Sequence, residues 1–443
     1  MNDIAGIPYV EAQFDKNGVL EKQINLPAGV TDLFVMSHGW NNNAADAREL
    51  YRKFFENFAA VAQPNDLTAR SFAIAGVIWP SKKFDELVAV AGAPGGAGGA
   101  ASLSAADAGS RQALEEKLDR MKETFTEPKQ RQILDEAKAL LPDIEEKATA
   151  RRAFVDKIRS LLDPMAANRE DASDSFFKDD GDELMKNLKV DEEDLDEEVA
   201  GAGGSASLPL GVGSTATVEG GAAGLKEVLS GFKAAAMNVL NFTTYFEMKA
   251  RAGTVGKNGV AKLIDKFAPQ VQRIHLIGHS FGGRVVTAAA ANSSTEKIRS
   301  MSLLQTAFSH NGFSQAKSGF FRSVVDQKRV KGPILVTHTK NDKAVGVAYP
   351  LASRINGDTT AAFGDENDEF GGIGRNGAQQ MRSGETVAGK LLPAGSGYAF
   401  EAGKFFNLEA SNFIMSHGDV TGKEIAHAVR KAVAGLTASG QGG

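Results

Sequence analysis

The chain has 443 residues, of which 42% are hydrophobic and 24% are charged, a composition that excludes a fully disordered protein. A formal net charge of −5 provides no positive field for a polyanion and argues against nucleic-acid binding. The absence of cysteine excludes disulfides, thiolate metal ligands and cysteine nucleophiles, and leaves seven histidines for imidazole chemistry.

The N-terminal residues lack both a basic flank and a continuous apolar core, and no apolar run is long enough to span a bilayer. The longest uncharged stretches, Leu87–Ala106 and Val199–Val218, are rich in Gly, Ser and Pro, which favours loops. We therefore predict a cytoplasmic protein with no signal peptide or transmembrane segment, a pattern that is also compatible with export that needs no N-terminal signal.

Apolar runs and turn residues along the chain predict strands that alternate with helices. Pro8–Phe14 and Val19–Leu26 flank an Asn-Gly pair and predict an antiparallel hairpin. Short apolar runs bounded by turn residues predict five further strands: Thr31–Ser37, Ser71–Trp79, Arg273–Gly278, Ile298–Leu304 and Gly332–Thr337. Helical patterns follow most of them, at Ala44–Val61, Val260–Phe267, Gly283–Ala291 and Gly422–Val433. This alternation predicts the α/β class, with a mostly parallel sheet and helices on both faces.

Residues 82–235 differ in composition and predict an insertion of helices and flexible connectors. Arg111–Met165 has a charged helical pattern that Pro128 and Pro142 break into a hairpin or short bundle. Asn168–Ala200 holds 14 acidic and 4 basic residues, which we expect to form a solvated surface. Two Gly-rich stretches flank these segments, at Gly92–Gly109 and Gly201–Gly224. The insertion has too few large apolar residues to predict a core of its own.

The segment Gly278-His279-Ser280-Phe281-Gly282 matches the pattern G-x-S-x-G. Glycines two residues before and after the serine leave room for a sharp strand-to-helix turn that exposes the hydroxyl. The N-terminus of the following helix favours negative charge at this place. A turn with an idle serine is the alternative, but the preceding apolar strand and the following helix favour a nucleophile.

A serine nucleophile needs a base, and the base needs an acid to orient it. Four histidines follow the serine in the sequence. We choose His417, which lies in a loop between the strand-like segment NFIM and the last helical pattern. His310, after a predicted strand, is the second choice. His338 ends an apolar run, and His427 lies mid-helix, which favours packing.

Asp342 follows the predicted strand Gly332–Thr337 and is our choice for the acid. The resulting order of Ser, Asp and His along the chain is that of the G-x-S-x-G hydrolases. Asp419 is the competing acid, but it lies only two residues after His417. Its position before the last helix favours a helix-capping role instead.

An oxyanion hole requires backbone N–H donors near the nucleophile. Phe281 follows the serine directly, and Trp40 lies in the loop after the predicted strand Thr31–Ser37. The His38-Gly39 pair lets that loop turn back towards the serine, and we interpret His38 as a positioning residue rather than a base. The supporting loops also contain Gly278, His279 and Gly282.

Two other segments have glycine or apolar patterns. Gly371–Gly377 has the glycines of a nucleotide-binding loop but no strand before it, so we expect an ordered loop near the site. Gly224–Arg251 predicts an apolar helix that packs on the sheet, the alternative being the wall of an acyl pocket or a lipid contact.

In four motifs, taken in order, the sequence resembles the α/β-hydrolase superfamily: HGW at His38–Trp40, GHSFGG at Gly278–Gly283, TKND ending at Asp342, and SHGD containing His417. It is also similar to a bacterial branch of predicted serine hydrolases, through SHGWNNN, AGVIWPS, YFEMKARAG and THTKNDKAVGVAYPLASR. The resemblance covers about residues 1–81 and 236–435. The insertion departs from the superfamily, whose cap usually follows the sixth strand.

The resemblance implies an α/β-hydrolase fold and a carboxylesterase or lipase-like enzyme, acting on a small-molecule or lipid ester through a Ser-His-Asp triad and an acyl-enzyme. It implies no metal and no organic cofactor. Residues 1–81 and 236–443 would form the catalytic domain, and 82–235 a lid or an interaction region. The alternative function is a catalytically silent scaffold that binds a protein partner through the insertion.

Overall fold

A computed structural model describes residues 3–40, 42–63, 67–81, 103–164, 173–189, 231–342 and 370–435. The described residues fall into two compact units. The larger unit comprises the described residues of 1–83 together with 248–342 and 370–435, and the smaller unit those between 103 and 247. The sequence placed the second boundary at residue 236. The structure places it at Met248, inside one continuous helix.

Nine strands of the described residues form one sheet in the larger unit. In chain order, β1 to β9 are Asp3–Ile4, Ile7–Gln13, Asp32–Ser37, Phe72–Ile78, Arg273–His279, Ile298–Leu304, Ile334–His338, Thr386–Lys390 and Phe405–Glu409. Their order across the sheet is β1-β2-β4-β3-β5-β6-β7-β9-β8, and only the β1–β2 pair is antiparallel. The predicted α/β class with a mostly parallel sheet is confirmed.

The described helices, α1 to α12, are Ala44–Ala60, Leu103–Met121, Pro128–Lys138, Ala148–Arg159, Ser173–Lys178, Gly181–Asn187, Gly231–Thr254, Ala261–Phe267, Phe281–Asn292, Arg322–Asp326, Ile373–Asn376 and Lys423–Ala434. A π-helical turn, Val255–Val260, joins α7 to α8, and 3-10 turns lie at Leu141–Asp143 and Ala268–Gln270. The four helices predicted around the strands correspond to α1, α8, α9 and α12. None of the described helices combines the length and the apolar character that a bilayer crossing requires.

The core of the larger unit is built on central strands that are buried on both faces. Phe34 and Met36 of β3 pack with side chains of α1 and α12. The Phe34 ring lies 5.2 Å from that of Phe55 and 5.1 Å from that of Phe58, measured between centroids. The intervening residues of β3 point to the opposite face and are equally buried. Such two-sided burial explains why these strands are continuous apolar runs in the sequence.

The predicted hairpin of Pro8–Phe14 with Val19–Leu26 is wrong, because the second of these two strands does not form. The antiparallel turn lies earlier, at Ala5–Gly6, where both residues have positive φ, and it joins β1 to β2. Along Val19–Leu26 only an isolated bridge forms, between Phe14 and Leu20. β4 pairs with Tyr9–Gln13 of β2 in parallel, and on the other edge β1 pairs only with Ile7 and Pro8.

The strand expected at NFIM, residues 412–415, is also wrong. Phe413 and Ile414 donate backbone hydrogen bonds to the carbonyl of Ala410, so this segment is a turn. The strand before it is β9, which pairs on one side with β7 and on the other with β8. Because β8 is a partly exposed edge strand of sequence TVAGK, it has no apolar run for a pattern to detect.

The smaller unit has an apolar core, contrary to the expectation from its sequence. Its buried side chains include Leu114, Leu118, Met121, Phe125, Leu134, Phe154, Ile158, Phe176, Leu184 and Leu240. The Phe176 ring lies 5.0 Å from that of Phe246 and 6.3 Å from that of Phe242. Both partners belong to α7, most of which the sequence analysis assigned to the other domain. Without those aromatic residues the insertion looked deficient in apolar side chains.

Part of the acidic run is structural rather than solvated. Asp182, on α6, is buried and forms an ion pair with Arg151 of α4. Arg151 also donates a hydrogen bond of 3.1 Å to the carbonyl of Ile144. The Arg151 guanidinium lies 3.8 Å from the centroid of the Phe232 ring. A buried charge requires such partners. Residues 168–172 and 190–200 of the run, residues 92–102 of the first Gly-rich stretch and the whole of the second lie outside the described residues.

Close backbone packing between the π-helical turn and α9 gives a prediction on stability. A Cβ at Gly256 would lie 2.3 Å from the carbonyl oxygen of Val285. We expect Gly256→Ala to lower the free energy of unfolding by about 1–3 kcal/mol, because neither backbone can yield easily. Denaturant unfolding measures this change. In the control Gly397→Ala the new Cβ meets nothing within 4 Å, so stability should change by less than about 0.5 kcal/mol. Equal stability of the two variants would contradict the prediction.

Candidate active site

The polypeptide turns from β5 into α9 at Ser280, which has φ 55° and ψ −128°. A non-glycine residue rarely adopts this conformation, which persists only where surrounding contacts impose it. Here the Ser280 N–H donates a hydrogen bond of 3.1 Å to the carbonyl of Leu304, at the end of β6. Its own carbonyl accepts from Gly283, at 3.0 Å, and from Ala307, at 3.2 Å. The neighbouring strand therefore holds the strained serine.

The glycines around the serine are required by close approach. A Cβ at Gly282 would lie 2.1 Å from the carbonyl oxygen of Ser37, at the end of β3. A Cβ at Gly278 would lie 2.5 Å from the carbonyl oxygen of Gly282, across the turn itself. The G-x-S-x-G pattern thus reflects a turn that is packed directly against the adjacent strand.

The structure brings the predicted base and acid together. The Nδ1 atom of His417 lies 2.9 Å from Oδ2 of Asp342. The Asp342 side chain is fully buried, while that of His417 is 24% exposed. Asp342 follows β7 and His417 follows β9, and these strands pair in parallel with His338 opposite Glu409. Their carboxyl ends therefore lie at one edge of the sheet, where ligands of open α/β sheets usually bind.

Side chains that the sequence analysis missed join the two loops that carry this pair. Asn341 donates from Nδ2 to the carbonyls of Ser411, at 3.0 Å, and Ile414, at 2.9 Å. The hydroxyls of Thr339 and Ser411 lie 2.8 Å apart. These contacts fix the acid loop against the histidine loop. Nothing in the local sequence distinguishes these residues from ordinary turn residues.

The helix-capping role expected of Asp419 is wrong. The N-cap of α12 is Gly422, and Asp419 instead accepts a hydrogen bond from the Met415 N–H at 3.2 Å. Asp419 thus closes the loop that contains His417, while the His417 ring is bonded to Asp342. Because the tight turn around Gly418 brings Asp419 back to Met415, its carboxylate is used before the helix begins.

His279 connects the serine turn to the histidine loop. Its Nε2–H donates a hydrogen bond of 2.9 Å to the backbone carbonyl of His417, and the centroids of the two rings lie 5.0 Å apart. Burial and, to a smaller extent, the nearby His417 together lower the pKa of His279 to about 3. His279 is therefore neutral at physiological pH and acts as a hydrogen-bond donor.

The loop after β3 lies against the serine side chain. A Cβ at Gly39 would lie 2.4 Å from Cβ of Ser280 and 3.0 Å from its Oγ. Trp40 follows, and its ring lies 5.9 Å from that of Phe281, the first residue of α9. The rings of the two residues chosen as oxyanion donors thus lie close to each other, and each residue is a chain neighbour of Gly39 or Ser280.

His38 is buried beneath this loop. Its Nδ1 lies 2.9 Å from the carbonyl of Gly39, and its Nε2 accepts from the Trp79 N–H at 3.3 Å, which assigns the proton to Nδ1. The ring also stacks on the Trp79 ring, with centroids 5.6 Å apart. Burial lowers the pKa of His38 to about 4. A neutral ring with both nitrogens bonded suits a residue that positions the loop.

The other histidines after the serine bond elsewhere. Nδ1 of His310 lies 3.1 Å from the Asn376 amide nitrogen, and the His310 N–H donates to the Gly371 carbonyl. His427 donates from Nε2 to the Ser396 carbonyl at 2.7 Å. His338 is the last residue of β7.

The segment Gly371–Gly377 is ordered and contains α11, as expected of a loop near the site. The Gly374 carbonyl accepts from the Thr339 N–H at 3.0 Å and from Gln305 Nε2 at 2.9 Å. Gln305 is a further residue that the sequence analysis missed. Its only sequence signal is a polar side chain at the end of a strand next to the strand that precedes the acid.

No protein-family model, curated protein or solved structure matches the chain. Within the described ranges, no group of three or more His, Asp or Glu side chains is arranged to hold a metal ion.

The lowered pKa values of His38 and His279 predict how stability depends on pH. His38 and His279 stay neutral in the folded chain, whereas the unfolded chain protonates them near their ordinary pKa of 6.5. Above that pH these two histidines do not change the free energy of unfolding. As the pH falls below it, each histidine lowers the free energy of unfolding by about 1.4 kcal/mol per pH unit. Urea unfolding between pH 6 and 4.5 should show this loss.

The variant His38→Asn removes one of the two side chains that take up a proton when the chain unfolds. Its free energy of unfolding should therefore fall with pH less steeply than that of the parent, by about 1.4 kcal/mol per pH unit. Parallel pH dependences of the variant and the parent would show that His38 is not held neutral in the folded chain.

Proposed function

We propose that the chain is a serine hydrolase of the α/β-hydrolase fold that cleaves carboxylic esters, with Ser280 as nucleophile, His417 as base and Asp342 as acid. One observation carries the proposal: a strained serine lies between a strand and a helix, and its preceding residue hydrogen-bonds the histidine that is paired with a buried aspartate. Nucleophile, base and orienting acid are the three parts that acyl transfer requires.

The reaction follows from these positions. Ser280 Oγ attacks the carbonyl carbon of the ester and gives its proton to Nε2 of His417, while Asp342 holds the Nδ1–H and stabilises the imidazolium. The negative charge that develops on the carbonyl oxygen is bound by the backbone N–H groups of Phe281 and Trp40. When the intermediate collapses, the alcohol leaves with the proton from Nε2. Water then hydrolyses the acyl-enzyme by the same proton transfers.

The surroundings favour this chemistry. The 12-residue helix α9 begins directly after the serine, and the positive end of its dipole stabilises an oxyanion there. Met415, two residues before His417 in the same loop, is 68% exposed and presents an apolar side chain to solvent. An exposed apolar side chain on this loop suits a carboxylesterase or lipase-like enzyme that acts on a small-molecule or lipid ester.

A fluorophosphonate probe and a panel of short- to long-chain acyl esters test the nucleophile. We expect the parent to be labelled and to turn over esters, and Ser280→Ala to lose labelling and to lower kcat by about 10⁴–10⁶-fold. Ser302→Ala is the matched control, since Ser302 is a buried serine within β6, and it should be labelled like the parent. A folded, monodisperse parent that is not labelled would favour the non-catalytic scaffold instead.

A second comparison separates the two candidate acids. Asp342→Asn should lower kcat by about 10⁴-fold with little change in KM, because the amide stabilises the wrong tautomer of His417. Asp419→Asn should lower kcat by less than about 10-fold, since Asp419 bonds a backbone N–H and not the ring. Steady-state ester hydrolysis measures both variants. A larger loss in Asp419→Asn than in Asp342→Asn would reassign the acid.

A further inference from the structure

Gln305 occupies an unusual position directly after β6. It has φ 42°, in the left-handed region that non-glycine residues rarely adopt, and it is fully buried. Its backbone N–H donates a hydrogen bond of 3.2 Å to the hydroxyl of Thr337, in the neighbouring strand β7. A strained and buried residue of this kind persists only where its surroundings fix it.

The side chain of Gln305 points at the acid. Its Nε2 donates two hydrogen bonds, one of 3.1 Å to Oδ2 of Asp342 and one of 2.9 Å to the carbonyl of Gly374. Both partners only accept hydrogen bonds, which assigns the amide nitrogen to this side. The Oδ2 atom is the same oxygen that lies 2.9 Å from Nδ1 of His417. One carboxylate oxygen is thus shared by the ring and by the amide.

We infer that Gln305 is a positioning residue, which holds the Asp342 carboxylate at the angle that His417 needs. Rotation of the Asp342 carboxylate about its side-chain bonds would break its bond to the ring, and the amide of Gln305 opposes this rotation. The amide supplies a charge-assisted hydrogen bond without adding a charge of its own. Its second bond, to Gly374, fixes the amide itself. The consequence for catalysis rests on the proposed function, whereas the consequence for the His417–Asp342 bond does not.

Three variants test the inference. Gln305→Leu removes the hydrogen bond at similar volume, and Gln305→Glu replaces the amide with a carboxylate. Asn407→Leu is the matched control, because Asn407 joins β9 to Ala378 through two side-chain hydrogen bonds, at 2.9 and 3.0 Å, but bonds no member of the triad. Circular dichroism and thermal unfolding check that all three variants fold.

We expect Gln305→Leu to lower kcat by roughly 10- to 100-fold with little change in KM, as loss of a hydrogen bond to a charged group implies. Asn407→Leu should stay within about 3-fold of the parent. In Gln305→Glu the added negative charge favours the imidazolium, so the acid limb of the pH profile of kcat/KM should move to higher pH. An unchanged kcat in Gln305→Leu, or equal losses in both leucine variants, would overturn the inference.

A readout that needs no turnover is the far-downfield proton resonance of the His417 Nδ1–H, assigned by its loss in His417→Phe. Gln305→Leu should shift or broaden this resonance, and Asn407→Leu should leave it unchanged. If the parent neither hydrolyses esters nor reacts with the probe, but the resonance depends on Gln305, the proposed function fails and the positioning role stands. If esters are hydrolysed while kcat and the resonance ignore Gln305, only the positioning role fails.

Discussion

The parallel pairing of β3, β5, β6, β7 and β9 is the constraint on which the candidate site depends. Parallel strands end at the same edge of a sheet, so residues far apart in the sequence meet wherever consecutive strands stop. The register of β7 with β9 brings Asp342 to His417, and that of β3 with β5 places Ser37 opposite Gly278. The proposed nucleophile, its proposed base and the proposed oxyanion loop are therefore assembled by backbone hydrogen bonds of the sheet.

The ends of these strands are also tied to one another. The N–H of Ser280, after β5, is bonded to the last carbonyl of β6, and the N–H of Gln305, after β6, is bonded to a hydroxyl of β7. Both residues have positive φ although neither is a glycine. Each strained residue is thus held by the next strand in the sheet. Strain of about 1–3 kcal/mol at each position is sustainable in such surroundings and fixes side-chain directions that a relaxed turn would leave variable.

The sequence predicts what is encoded locally. The buried central strands are continuous apolar runs, and the strand, serine turn and helix around Ser280 form one short pattern. The partly exposed strand β8, the missing partner strand at Val19–Leu26 and the core of the helical unit depend on tertiary pairing, which no local pattern contains. The same distinction holds within the site. Ser280 lies in a motif, whereas Gln305 and Asn341 acquire their roles only when loops from different strands meet.

The environments of the histidines, rather than their motifs, support the choice of His417 as the proposed base. His38 and His279 lie in motifs beside the serine, yet burial lowers their pKa values to about 4 and about 3, so neither accepts a proton near neutral pH. Each instead uses a ring nitrogen to fix a backbone carbonyl, that of Gly39 or that of His417. His417 differs because its ring is partly exposed and bonded to a buried carboxylate. A general base needs both access to its substrate and an acid that stabilises its charged form, and among these three histidines His417 meets both requirements.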